Sequence, residues 1–186
     1  EDLGVDYALV TAGYNPARAA REMPIIDKQR YHLMDAHFKS TGQCGIEMMR
    51  GTASTQVSID YSSQRNAVRR YRLAVALGPL IALVTDTSPV YQGKIKRRRM
   101  IRSHIWRDTD AVRCGIVPWT LDEGFVFERY VDWLLSVPPI LCLDEAGVTS
   151  STGSRLMGDI IADKPVSRAQ IEHLFSMVFP DVRIKR

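Results

Sequence analysis

Arg102, His104 and Trp106 alternate within MIRSHIW, residues 100–106. A guanidinium presents a planar fork that matches a carboxylate or a phosphate, and an indole gives a flat surface to stack on. The alternation predicts a strand with Met100, Arg102, His104 and Trp106 on one face. Ile101, Ser103 and Ile105 then take the other. The same residues equally fit an exposed arginine beside a core tryptophan. His104 fits a general base or a hydrogen-bonded structural histidine.

A second set lies in GTASTQVSIDY, residues 51–61. Every other side chain is short and polar: Thr52, Ser54, Gln56, Ser58 and Asp60. This pattern also predicts a strand. Hydroxyls and amides donate and accept without charge, which suits a small polar ligand held in one orientation. It suits a solvated face of an antiparallel sheet as well. A third set is the basic run from Lys94 to Arg99, with Arg183, Lys185 and Arg186 at the C-terminal end. Cations there would neutralise phosphate charge in phosphoryl transfer. A solvated loop is the usual fate of such a run. A nucleic-acid partner is not expected, because the run has no interleaved aromatics and no reader motif accompanies it.

The elements that must position these residues follow from period and punctuation. Tyr31, Met34 and Phe38 at helical spacing after Asp27, an N-cap candidate, predict a helix over 27–39. Ser62 and Ser63 offer a cap for a long helix from Gln64. That helix becomes wholly apolar from Leu73 to Val84, so its second half is expected to be buried. Gly78-Pro79 predicts a kink or break inside it. Residues 124–136 read as a helix with Phe127, Tyr130, Val131, Leu134 and Leu135 inward. ILCL (140–143) reads as a short strand, and residues 150–161 as a short helix. Ser167 to Gln170 spells a capping box before another helix. DVRIKR (181–186) begins a last strand. The irregular alternation of strands and helices argues for an α+β fold with an antiparallel or mixed sheet.

The 186 residues, 45% hydrophobic, fit a single domain over 1–186. Six of the 25 basic residues fall in residues 94–102, leaving 19 against 21 acidic ones, so the net charge of +4 is local. Cys44, Cys114 and Cys142 make no CxxC pair and no zinc spacing with the histidines. They read as small buried hydrophobes in a reducing cytosol, so a cytoplasmic location is expected. No apolar run approaches the roughly 20 residues that cross a bilayer, so no membrane partner is expected. The N-terminus, EDLGVDYALV, has no basic n-region of a signal peptide.

The order of motifs carries more. MMRGTASTQVSIDYSS, AVRRYRLAVALGPLIAL, RSHIWRDTD, YVDWLLSVP and FPDVRIKR closely resemble the glutamate–cysteine ligase family in its plant and bacterial branch. The resemblance runs from about Pro24 to Arg186. It implies a glutamine-synthetase-like fold, a curved antiparallel sheet with helices outside and the active site in its concave face. It implies ATP and Mg²⁺ as cofactors, and glutamate and cysteine as small-molecule substrates. It implies a γ-glutamyl phosphate as the intermediate, in the first step of glutathione synthesis. Carried over by motif, Thr52, Gln56 and, more weakly, Asp60 line the substrate pocket. Arg102 pairs with a substrate carboxylate or a phosphate, Trp106 walls the site, and Arg183 and Lys185 approach the ATP phosphates. The resemblance also implies that the main metal-holding carboxylates lie outside these residues. The chain is therefore expected to be a core fragment of a catalytic domain, with little activity alone. Its exposed sheet edges leave a homodimer open. Other readings are a related carboxylate–amine ligase with another acceptor and a non-catalytic ligand-binding module.

Overall fold

Seven α-helices run along the described residues, joined by strands of only two or three residues. In the computed structural model those residues are 10–97, 99–144, 147, 149–163 and 165–185. Residues 1–9, Arg98 of the basic run and Arg186 lie outside them.

Helix α1 (Gln29–Thr41) buries Met34 and Phe38, as their spacing predicts. Asp27 does not cap it. The helix starts after Lys28 without a side-chain cap, and Asp27 instead meets His32 Nε2 at 2.9 Å on the surface. A tight corner leads to α2 (Gly45–Gly51). Backbones pass so close here that a Cβ on Gly42 would lie 2.3 Å from the Asp108 carbonyl oxygen. One on Gly45 would lie 2.3 Å from the Phe38 carbonyl, and one on Gly51 would lie 2.4 Å from the Tyr14 ring.

The strand expected over 51–61 is not formed. Gly51 ends α2, Thr52 makes a single antiparallel bridge to Tyr14, and residues 53–61 have no regular structure. Both faces of 53–60 are exposed, Val57 at 82% and Ile59 at 64%. Alternation marks a segment that can join a sheet, but the ladder of a neighbouring strand is what holds it. None lies beside it among the described residues.

Helix α3 (Gln64–Val84) starts at Ser63, whose hydroxyl accepts from the Asn66 amide at 3.2 Å. Ala67, Tyr71 and Val75 face the core. The helix runs unbroken through Pro79. Its second half is not buried as expected: Leu80 is 62% and Val84 81% exposed. Strands β1 (Val90–Tyr91) and β2 (Lys94–Ile95) form a hairpin across Gln92-Gly93, both at positive φ, the turn whose twist suits paired strands. The basic run starts on this exposed hairpin.

Helix α4 (Ile101–Arg107) replaces the strand expected over MIRSHIW. Ile101 and Ile105, four apart, are the buried pair, so burial follows the helical period. Strand β3 (Cys114–Gly115) pairs in parallel with β6 (Phe179–Pro180), just before the strand expected from Asp181. Between them lie α5 (Phe127–Ser136), β4 (Leu141–Leu143) and β5 (Thr149–Ser151), α6 (Met157–Asp163) and α7 (Arg168–Phe175). The capping box of Ser167 and Gln170 opens α7 as the sequence predicts. β4 and β5 pair antiparallel, so 149–151 is strand where a helix from 150 was expected.

The mixed helix-and-strand class holds. No curved antiparallel sheet is formed among the described residues, which make three two-stranded pairs, two antiparallel and one parallel. One core joins all seven helices. At its centre Tyr71 stacks on Phe125 (5.8 Å, 14°) and meets Tyr130 edge-on.

Candidate active site

Met100 precedes α4 in the left-handed region (φ 57°), an uncommon conformation for a long side chain. Asp86, two residues past the end of α3, holds it there. One carboxylate oxygen accepts from the Met100 amide at 2.8 Å, and the other from the Ser88 amide at 3.3 Å. This latch fixes the first turn of α4 and so aims Arg102. Arg102 Nε donates to the Ala53 carbonyl at 2.9 Å, and its guanidinium sits 5.4 Å from the Trp106 ring centroid. The two share a face because they are four apart on a helix, not two apart in parity on a strand.

Arg102 borders a cleft of about 80 Å³ with Gly13, Asp86, Thr87, Ser88 and Ser103 among its other walls. Burial pulls the guanidinium below its ordinary value, and the Asp181 carboxylate acts in the opposite sense. The terminal nitrogens have no hydrogen-bond partner among the described residues. The cleft has room for one carboxylate or one phosphoryl group, with Arg102 as its cation and the Asp86 carboxylate in the same wall. A whole nucleotide does not fit it, since cofactor pockets run to roughly 300 Å³ and above.

The other expected site residues are dispersed. Thr52 is half-buried, and its hydroxyl donates to the Met48 carbonyl at 2.8 Å, closing the end of α2. Gln56 and Asp60 are exposed. The Asp60 backbone carbonyl accepts from Arg70 of α3 at 2.7 Å. Arg183 and Lys185 are exposed and do not line the Arg102 cleft. Arg183 donates to the Val178 carbonyl at 3.4 Å. Trp106 also packs on Phe179 (6.1 Å), and its Nε1 is buried without a partner among the described residues.

Two groups escaped the sequence reading. Asp86 is one, although TDTSP carries its signal: an Asp two residues before a Ser and then a Pro is a turn in which the carboxylate caps its own backbone. The other is Asp110, which meets His37 Nε2 at 2.8 Å and Arg113 Nε at 2.6 Å. Arg113 also donates to the Pro138 and Met177 carbonyls. Burial works to raise the Asp110 carboxyl, but these hydrogen bonds outweigh it and hold the group below its ordinary value.

Among the described residues no group of three or more His, Cys, Asp or Glu could hold a metal ion. Both Asp86 oxygens already accept from backbone amides. The donor set of the described residues therefore does not fit Mg²⁺. Burial pushes the Cys114 thiol up to about 12, which keeps it protonated and unreactive near neutral pH. No helix of the described residues is long and apolar enough to cross a membrane.

Arg102 is a cation and Asp86 a carboxylate in the same cleft wall, and no cysteine or histidine stands among its lining residues. The model of glutamate-cysteine ligase family 2 (GCS2) matches residues 1–185, and the chain belongs to that family. The chain is 32% identical over 192 residues to glutamate–cysteine ligase B, chloroplastic, of Oryza sativa subsp. japonica. It is 32% identical over 193 residues to the chloroplastic glutamate–cysteine ligase of Nicotiana tabacum, and 31% over 192 to that of Arabidopsis thaliana. All of this chain is covered in each case, but only 38%, 36% and 36% of those relatives. The chain thus spans well under half the length of the curated relatives it matches. The cytoplasmic location expected from the cysteines is overturned, because these relatives are chloroplastic proteins.

Proposed function

We propose that these residues form part of an ATP-dependent glutamate–cysteine ligase. ATP transfers its γ-phosphoryl group to the glutamate γ-carboxylate, releasing ADP. The cysteine amine then attacks the acyl carbon of the γ-glutamyl phosphate. The C–O bond to phosphate breaks, the amine loses a proton, and γ-glutamylcysteine and phosphate leave. Family membership over residues 1–185 is the observation that carries this reading. The Arg102 cleft supports it, since each substrate brings a carboxylate or a phosphate.

In this reading Arg102 is the catalytic and substrate-binding cation, and Trp106 fixes its guanidinium from one side. Thr52, Gln56 and Asp60 line the substrate pocket, and Arg183 and Lys185 face the ATP phosphates. Magnesium supplies charge neutralisation when bound, and its ligands come from polypeptide beyond these residues. The test uses the longest product that the gene encodes. ADP should appear only when glutamate, cysteine and Mg²⁺ are all present. Equal turnover with alanine or glycine in place of cysteine would instead make it a related carboxylate–amine ligase.

That the described residues hold no metal-ligand set favours a second reading, a non-catalytic binding module. Calorimetric binding of glutamate or ATP, with no turnover by the longest gene product, would select it.

A further inference from the structure

A cavity of about 310 Å³ opens at the far end of α3 from Arg102. Its walls are the first turns of two helices: Gln64, Arg65 and Val68 of α3, and Phe127 and Glu128 of α5. Val68 and Ala82, which borders the Arg102 cleft, stand about 21 Å apart along the helix at about 1.5 Å per residue, so the two hollows are separate. Phe125 also lines the cavity. It is 3% exposed, and its ring is fixed by the stack on Tyr71. Val68 and Phe127 are half-buried beside it.

The charges on these walls are unspent. Arg70 and Arg72 of the same helix donate to the Asp60 and Leu121 carbonyls at 2.7 and 2.8 Å. Arg65 and Glu128 are exposed, and neither side chain has a hydrogen bond or ion pair among the described residues. They are of unlike sign and line one cavity, yet they do not pair with each other. A guanidinium takes a carboxylate with two parallel N–H donors, and a carboxylate accepts from an ammonium. The apolar floor rewards burial of hydrocarbon. A fatty carboxylate would leave Glu128 against its anion, and a plain amine would leave Arg65 unanswered. A zwitterion with an apolar body meets all three demands. The volume stands at the small end of ligand pockets, which run from roughly 300 Å³.

We propose that this cavity binds a free α-amino acid with an apolar side chain. Its carboxylate lies on Arg65, its ammonium on Glu128 and its hydrocarbon over Phe125. The reaction proposed above uses none of these residues. The site needs neither ATP nor turnover, so it stands or falls separately from that reaction.

Titration of this chain with L-leucine, followed by NMR, tests the site. Binding should saturate with a Kd of about 10 mM or tighter. Arg65→Ala and Glu128→Gln should each weaken it about 10-fold or more, the scale of one lost charge-assisted hydrogen bond. Both side chains are exposed, so both variants should fold, which circular dichroism checks. Leucinamide lacks the carboxylate and N-acetylleucine lacks the ammonium, and each should bind as weakly as those variants. Arg102→Ala, in the distant cleft, should leave the leucine affinity within about twofold. The proposal is overturned by a titration that does not saturate, or by wild-type affinity in either wall variant. N-acetylleucine binding as tightly as leucine would also overturn it. So would loss of leucine binding in Arg102→Ala, because the amino acid would then sit in the other cleft.

Discussion

Two arginines stand at opposite ends of the stretch from 102 to 113, and their surroundings differ in kind. Arg113 is 2% exposed and spends its donors on Asp110, Pro138 and Met177. Arg102 spends one donor on Ala53, lays its guanidinium against Trp106, and borders a cleft with the rest. A closed arginine ties α1, the turn after α4 and the segments around Pro138 and Met177 into one body. An open one is poised for an anion. The difference lies in how many donors the fold has used, which residue type alone does not reveal.

The largest effect should come from breaking the closed site. Arg113→Ala leaves the buried Asp110 carboxylate with His37 but without its arginine, a loss expected at about 3–5 kcal/mol. Urea unfolding of this chain measures it, and a cost below about 1 kcal/mol would show that the network is not what holds these segments. Arg102→Ala should do the reverse. It should cost this chain about 1 kcal/mol or less. It should lower kcat/KM of the longest gene product by about 100-fold or more, the scale of a lost transition-state anion contact. Arg97→Ala, on the exposed basic run, should change kcat/KM less than threefold, and equal losses at the two positions would erase the distinction.

The closed site also has a pH signature. The Asp110 carboxyl is held below its ordinary value of 3.8, so its stabilisation is complete above that value and is lost as pH falls through the depressed one. Acid unfolding of Asp110→Asn should lack that part of the slope below pH 3.8, while its stability near neutrality is already lower. The smallest effect tests a residue placed between the two roles. Thr52→Val removes the hydrogen bond to Met48 and should cost about 1 kcal/mol. If the melting temperature is unchanged and the KM for glutamate rises, the hydroxyl serves substrate rather than the end of α2.

The sequence was most informative where local rules suffice. The α1 stripe of Met34 and Phe38, the inward Tyr130 and Leu134 of α5, the Ser63 cap and the Ser167 box all lie where period and capping chemistry put them. It misled where two periods coincide. Ile101 and Ile105 satisfy an alternating strand and a helix equally, and seven residues are too few to separate them. It misled again where structure depends on a neighbour. Among the described residues, 53–60 alternate but have no strand to pair with, and the apolar second half of α3 has no cover. Of the candidate site, the Arg102–Trp106 pair was legible from residue type. For Asp86 the sequence carries a local turn signal in TDTSP but not the contact to the Met100 amide fourteen residues on, which is what aims α4.

Gly42, Gly45 and Gly51 bear on how this chain would respond to systematic mutation. Any side chain at these positions would overlap the Asp108 carbonyl, the Phe38 carbonyl or the Tyr14 ring. These three positions would then register as intolerant to change although none of them lines the Arg102 cleft. Gln56 and Asp60, whose side chains are exposed, would register as permissive there whatever they do for substrate. A tolerance map scored on folding alone would thus rank the glycine corner above Gln56 and Asp60, and only a map scored on the proposed ligation could reverse that order.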